Sequence, residues 1–259
     1  MHIDQANIFN LKSLWKKYGS QIQIFNNNDK KIQAQPELHI NTLWPHRCWF
    51  NGSIILNDFS WLSNIPEMTI FPIWPMLDDK GNSVEASTEL ELIEKQLQKN
   101  NWHCMLEQTA MFLALSDDAN EYRVETRIGF TIKKVETPDN ITLWLGIVSD
   151  AFGYSVDRTV IEKLTNEPDM QILMAYENSQ AIASAILYKT GDIIGIHQFG
   201  VKQDFQGKGF AHSFMKEIIA ACHLWQGKNI VLQASSSGKP LYEQLGFQSQ
   251  FLIKSYQRQ

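Results

Sequence analysis

Hydrophobic positions recur most regularly in the second half of the chain. Between positions 208 and 225, Ala211, Phe214, Met215, Ile218, Ile219, Cys222 and Trp225 share one face at helical spacing, which predicts a long amphipathic helix. Gly227 is placed to end it. Upstream, residues 141–152 and 158–164 read as two helices separated by Gly153-Tyr154-Ser155. Runs at 128–132, 171–176, 181–188 and 193–201 read as strands, with Glu177-Asn178-Ser179-Gln180 as a hairpin turn between the second and third. Residues 229–233 predict another strand. Residues 240–245 predict a short helix that opens on Pro240 and closes at Gly246, and 250–256 a last strand. The order is strand, two helices, three strands, helix, strand, helix, strand, an α/β pattern whose first part is mostly antiparallel.

The first half is less regular. Leu90, Ile93 and Leu97 predict a helix over 89–99, stopped by Asn100 and Asn101, and residues 111–115 read as a strand. Six of the eight tryptophans stand at or before Trp102, among Pro45, Pro66, Pro72 and Pro75. Proline interrupts both helices and sheet ladders, so this region reads as short strands and irregular connections. Trp44, Trp49, Trp61 and Trp74 are assigned to packing rather than to a substrate platform. The polar, acidic stretch from Ser116 to Glu121 marks a boundary, giving an N-terminal α/β region at 1–120 and a second domain at 121–259.

Composition narrows the partners. Net charge is −5 and the sequence pI about 5.8. A weakly acidic chain does not advertise phosphate-backbone binding, so no nucleic-acid partner is expected. No apolar run reaches the roughly 18 residues of a membrane helix, so no membrane partner is expected. The opening Met1-His2-Ile3-Asp4 has no basic region followed by an apolar run, so no signal peptide is expected. Cys48, Cys104 and Cys222 are odd in number and form no CxxC pair, which reads as free thiols in a reducing cytoplasm. The seven histidines show no metal-ligand spacing, so no metal is expected.

The segment that carries chemistry is Val201-Lys202-Gln203-Asp204-Phe205-Gln206-Gly207-Lys208-Gly209-Phe210-Ala211. A strand gives way to a glycine-containing turn and then to the amphipathic helix. Glycine lets backbone approach a ligand closely, and the free N–H groups of a first helical turn suit a phosphate. The segment lacks the GxxxxGK spacing and hydroxyl of a Walker A loop. His212 breaks the GxGxxG dinucleotide fingerprint.

Gln206-Gly207-Lys208-Gly209-Phe210-Ala211 resembles the signature of the GNAT acyltransferase superfamily: Gln or Arg, two residues, Gly, one residue, then Gly or Ala. Gly238-Lys239-Pro240-Leu241-Tyr242-Glu243-Gln244-Leu245-Gly246-Phe247 resembles the segment that commonly precedes that family's last strand. The element order from Ile128 to Tyr256 also agrees, so the resemblance covers about half of the chain. It implies a mixed, mostly antiparallel sheet flanked by helices, beside the additional N-terminal α/β region. It also implies acetyl-CoA, or another short acyl-CoA, as co-substrate. The strand before the turn would splay from its neighbour and admit the acyl-pantetheine arm. By residue match, Phe199, Gly200 and Val201 would bind the arm and polarise the thioester carbonyl. Amides of Gln206, Gly207, Lys208, Gly209, Phe210 and Ala211 would hold the pyrophosphate.

Tyr242 matches the family's frequent general acid; it can equally be a packing residue of the cofactor tunnel. For the base, His197 is the candidate, since simple alternation puts it on the face of Phe199 and Val201; it can equally be a histidine bonded within the sheet. Glu177 is a further candidate whose turn position suggests a solvated charge, and His212 and His223 read as surface residues. The family's second motif often carries an asparagine where this chain has Ala234-Ser235-Ser236-Ser237; Ser235 is the candidate replacement contact. The first half lacks the glycine loop. A short echo between residues 97–115 and the chain's end makes it either a degenerate GNAT-like repeat or an unrelated cap. The implied function is N-acyl transfer, an acetyl group moving from acetyl-CoA to a primary amine by direct attack in a ternary complex. The alternative is a non-catalytic acyl-CoA-binding regulatory module.

Overall fold

The computed structural model describes residues 1–24, 37–51, 59–75, 88–122 and 127–258. The chain divides into two compact units, one of Met1–Thr109 with Gln250–Gln259, the other of Ala110–Ser249. No described helix is long and apolar enough to cross a membrane.

The first unit opens with α1 (Ile3–Lys17), a helix the apolar pattern did not announce. Its buried side includes Asp4, Asn7 and Asn10 beside Leu11, Leu14 and Trp15, so polar residues interrupt the hydrophobic stripe. Its N-cap is His2, whose ring accepts from the Asp4 amide, in place of the usual Ser, Thr or Asp. Short strands follow as expected. β1 (Gln21–Ile24), β2 (Glu37–Ile40) and β3 (Cys48–Asn51) form an antiparallel sheet. After β4 (Ile70–Ile73) come α2 (Thr88–Lys99) and β5 (Trp102–Ala114). The strand expected at 111–115 is the end of β5, which is 13 residues long. The unit's core is aromatic: Trp61 lies edge-on to Phe50 and Phe71, and Phe71 to Trp102.

The second unit follows the expected element order. β6 (Phe130–Lys134) leads to α3 (Pro138–Phe152), capped by the Thr137 hydroxyl on the Asn140 amide and closed by left-handed Gly153. After α4 (Arg158–Leu164) come β7 (Met170–Glu177), β8 (Gln180–Thr190) and β9 (Ile193–Val201). Asn178 and Ser179 both take positive φ in the two-residue turn between β7 and β8, which suits the twist of a tight hairpin. A 3-10 turn at Gln203–Phe205 precedes α5 (Phe210–Leu224), followed by β10 (Asn229–Ser235) and α6 (Lys239–Gln244); β11 (Gln248–Arg258) comes next, and from Gln250 on it belongs to the first unit. The left-handed residue closing α5 is Gln226. Gly227 follows it where a Cβ would stand 2.7 Å from Ile194, so close packing rather than φ demands glycine there.

Within this unit the strands run β10-β9-β8-β7-β6, antiparallel from β6 to β9 and parallel between β9 and β10. One face packs on α5 and α6 through Leu173, Ala175, Ala183, Ala185, Leu187, Ile194 and Ile196 against Phe214, Met215, Ile218 and Tyr242. Each fully buried large side chain of this kind contributes about 1.5–3 kcal/mol. The other face carries α3, which packs on β8 and β9, with α4 packed on α3.

Candidate active site

The site grows from the way β9 parts from β10. Their parallel pairing spans only Ile193 to Gly195 opposite Asn229 to Val231. Both strands continue, but from Ile196 to Val201 the β10-side edge of β9 has no strand partner among the described residues. On its other side β9 stays paired to β8 through a bulge, the register passing from Ser184–Gly200 to Ile186–His197. Gln198 takes a φ of 49°, and the buried Ser184 hydroxyl donates to its carbonyl at 3.0 Å. Its side-chain oxygen accepts from the Tyr154 hydroxyl at 2.8 Å.

The bulge resets the alternation of side chains. Phe199 and Val201 join Ile194 and Ile196 in the α5-side core, whereas His197 does not. Across β8 it is registered with Ile186, which lies outside that core, and a Cβ on Gly200 would meet the Phe152 ring of α3 at 2.7 Å. His197 is therefore on the α3 side, not on the face of Phe199 and Val201 as simple alternation implies. It is 8% exposed, and burial pulls its imidazole down to about 3. A group of that pKa is a weak base at neutral pH.

Beyond β9 the chain enters the glycine-containing turn. The Gln206 side chain donates to the Val201 carbonyl at 3.0 Å and ties the turn to the strand. The Gln206 amide already donates to the Gln203 carbonyl at 3.1 Å, so it is the one amide of the motif that is engaged. The amides of Gly207, Lys208, Gly209, Phe210, Ala211 and His212 have no protein acceptor among the described residues. Gly207 and Gly209 take φ of 70° and 81°, conformations that favour glycine, and Gly209 caps α5 without any side-chain bond. Free donors at the positive end of a 15-residue helix suit an anion. The Lys208 ammonium bends back to the Asp204 carbonyl at 2.7 Å, while the Phe210 ring enters the core.

Two candidate residues from distant segments meet here. Tyr242 packs edge-on against Phe199 at 6.2 Å and against Phe247 at 5.7 Å, and Phe199 stacks on Phe214 of α5. Burial pushes the Tyr242 phenol well above its ordinary range, so it stays a neutral donor. Ser235 has a local task, its hydroxyl accepting from the Gly238 amide at 3.1 Å and meeting the Ser237 hydroxyl at 3.2 Å, at the start of α6. Glu177 is not a fully solvated turn charge. It ends β7 opposite Phe130, with one carboxylate oxygen buried and unpartnered among the described residues. No group of His, Cys, Asp and Glu able to hold a metal occurs among the described residues.

Sequence reading missed the residues that hold the bulge and the turn. Ser184 is the one polar residue in the run from Ala181 to Leu187, a signal available in advance. Asp150 accepts from the Gln203 amide at 2.8 Å and fixes the end of α3 to the turn after β9. Arg127 lies over the Phe210 ring at 4.1 Å.

The site is thus a strand that parts from its parallel neighbour and leads into a glycine turn with no side-chain cap. Residues 133–254, a little under half of the chain, match the family profile "Acetyltransferase (GNAT) domain". A GCN5-related N-acetyltransferase from Kribbella flavida shares the fold at 10% identity and TM-score 0.64, covering 98% of this chain and 95% of that one. A GCN5-related N-acetyltransferase-like protein from Streptococcus suis shares it at 15% identity and TM-score 0.60, covering 96% and 93%. For a GCN5-related N-acetyltransferase from Sphaerobacter thermophilus the identity is 15% and the TM-score 0.56. There the match covers 76% of this chain and only 62% of the other. No curated protein matches the sequence.

Proposed function

We propose that the protein transfers an acetyl group from acetyl-CoA to a primary amine, the amine attacking the thioester directly while both substrates are bound. The observation that carries this reading is the unpaired edge of β9 running into the unoccupied amides at the start of α5, with Phe199 and Tyr242 packed together beside it. The residues present fit CoA: six free amides suit a diphosphate, and the parted strands suit an extended amide-bearing arm. Amides of Gly207 to His212 hold the diphosphate. Backbone groups of Phe199, Gly200 and Val201 align the arm, and a fixed N–H there stabilises charge developing on the carbonyl oxygen. As the acyl C–N bond forms and the C–S bond breaks, the nitrogen gives up a proton to solvent and the sulfur leaves as the CoA thiolate. Tyr242 donates its hydroxyl hydrogen bond to that sulfur. The free thiols suit a reducing cytoplasm as the setting.

The test is thiol release from acetyl-CoA by the full chain, with a panel of primary amines including free amino acids, peptides and polyamines. Amine-dependent release with matching N-acetyl product is expected. CoA binding without release on any amine would leave a binding module, and absence of CoA binding would remove the reading altogether.

A further inference from the structure

We infer that Arg127 is a phosphate-binding residue of the α5 cradle, contacting the diphosphate of CoA. The inference rests on the acetyl-CoA reading and extends it to a residue outside both sequence motifs. Arg127 precedes β6, 81 positions before the carbonyl of Lys208, to which its Nη1 donates at 3.0 Å. Its guanidinium carbon lies over the Phe210 ring, 4.1 Å from the centroid, and its Nη1 is the nearest atom to a Cβ built on Gly209, at 4.0 Å. One bond and one stacking contact thus fix the cation above the residues that present the free amides. A guanidinium has five N–H donors in a rigid fork, so a bond to Lys208 leaves donors for an oxyanion. The side chain is exposed, and no carboxylate of the described residues is within ion-pair distance.

The neighbouring cation does not serve the same purpose. The Lys208 ammonium is drawn to the Asp204 carbonyl and lies 5.5 Å from the Phe205 ring centroid. Arg127 is the charge held at the cradle. Its planar fork matches phosphate geometry, and the preorganised stack on Phe210 lowers the ordering cost of binding.

The experiment is calorimetric titration of wild type, Arg127→Gln and Arg127→Met with CoA, with dephospho-CoA lacking the 3′-phosphate, and with phosphate-free S-acetylpantetheine. Gln keeps a donor for the Lys208 carbonyl and Met keeps an apolar stem over Phe210, and melting curves confirm folding. Both variants are expected to lose at least about tenfold in affinity for CoA and dephospho-CoA alike. The loss should shrink as salt is raised. Any affinity for S-acetylpantetheine, which carries no phosphate, should not show this loss. Equal CoA affinity in wild type and variants would reduce Arg127 to a packing residue and leave the acetyltransferase reading standing. A loss confined to CoA would move the contact to the 3′-phosphate and overturn the assignment made here. A wild type that binds no CoA would overturn both readings.

Discussion

Tyr242 owes its neutrality to burial, and the same burial limits it as an acid. A thiol has a reference pKa near 8.5 and a phenol near 10. Burial raises the phenol further, so full transfer of its proton to a departing thiolate runs uphill. A hydrogen bond to the charged sulfur does not, and such bonds contribute about 1.5–3 kcal/mol. Tyr242→Phe should therefore slow the single-turnover acetyl transfer roughly 10- to 100-fold with little change in CoA affinity. Wild-type single-turnover speed in the Phe variant would leave Tyr242 with only its packing against Phe199 and Phe247. His197 makes a prediction of the other kind. Its folded pKa is depressed to about 3 from an ordinary 6.5, so the unfolded chain binds the extra proton throughout that window. Stability is unaffected above pH 6.5 and falls as pH drops towards 3. Between pH 7 and pH 5 this one group should cost roughly 2 kcal/mol. Denaturant unfolding of His197→Gln should show a pH slope flatter by about that amount, and identical slopes would show that the imidazole meets no such penalty.

At the scale of elements, what the sequence disclosed is what local spacing controls. The apolar stripe of α5 and the proline and glycine bracketing α6 were legible because neighbours along the helix decide them. The cradle was legible for the same reason, since two glycines and a helix start lie within six residues. Helix α1 was hidden because Asn7 and Asn10 are fully buried, and their positions dilute the periodicity. The long strand β5 was hidden because its first part is mostly exposed with no clean alternation. The bulge in β9 turned an alternation argument about His197 into the wrong face, and the register shift across β8 and the positive φ of Gln198 reveal it. Arg127 and Ser184 act through contacts 81 and 14 positions away, and no spacing rule reports such pairs.

At the scale of the whole molecule, the described units do not follow the cut suggested by the acidic stretch at Ser116 to Glu121. The chain's last ten residues group with its first 109. In that unit β11 pairs with β4, setting Tyr256 opposite Phe71 and Lys254 opposite Ile73. Tyr256 is 2% exposed within the aromatic core, and the Lys254 ammonium meets the Glu94 carboxylate at 2.6 Å. The Gln250 amide donates to Asp4 and accepts from Asn7, which fixes the polar side of α1. A fragment ending at residue 120 loses all of these together. Each large apolar side chain removed from such a core is worth about 1.5–3 kcal/mol, and a domain's whole stability is about 5–15 kcal/mol. Fragment 1–120 should therefore lack a cooperative unfolding transition, although it retains six tryptophans to report one. Adding a synthetic peptide of residues 248–258 should restore part of the native tryptophan emission, in proportion to peptide concentration. Cooperative unfolding of the fragment alone, with native near-ultraviolet circular dichroism, would mean that β11 is dispensable to the first unit and that its core closes without Tyr256.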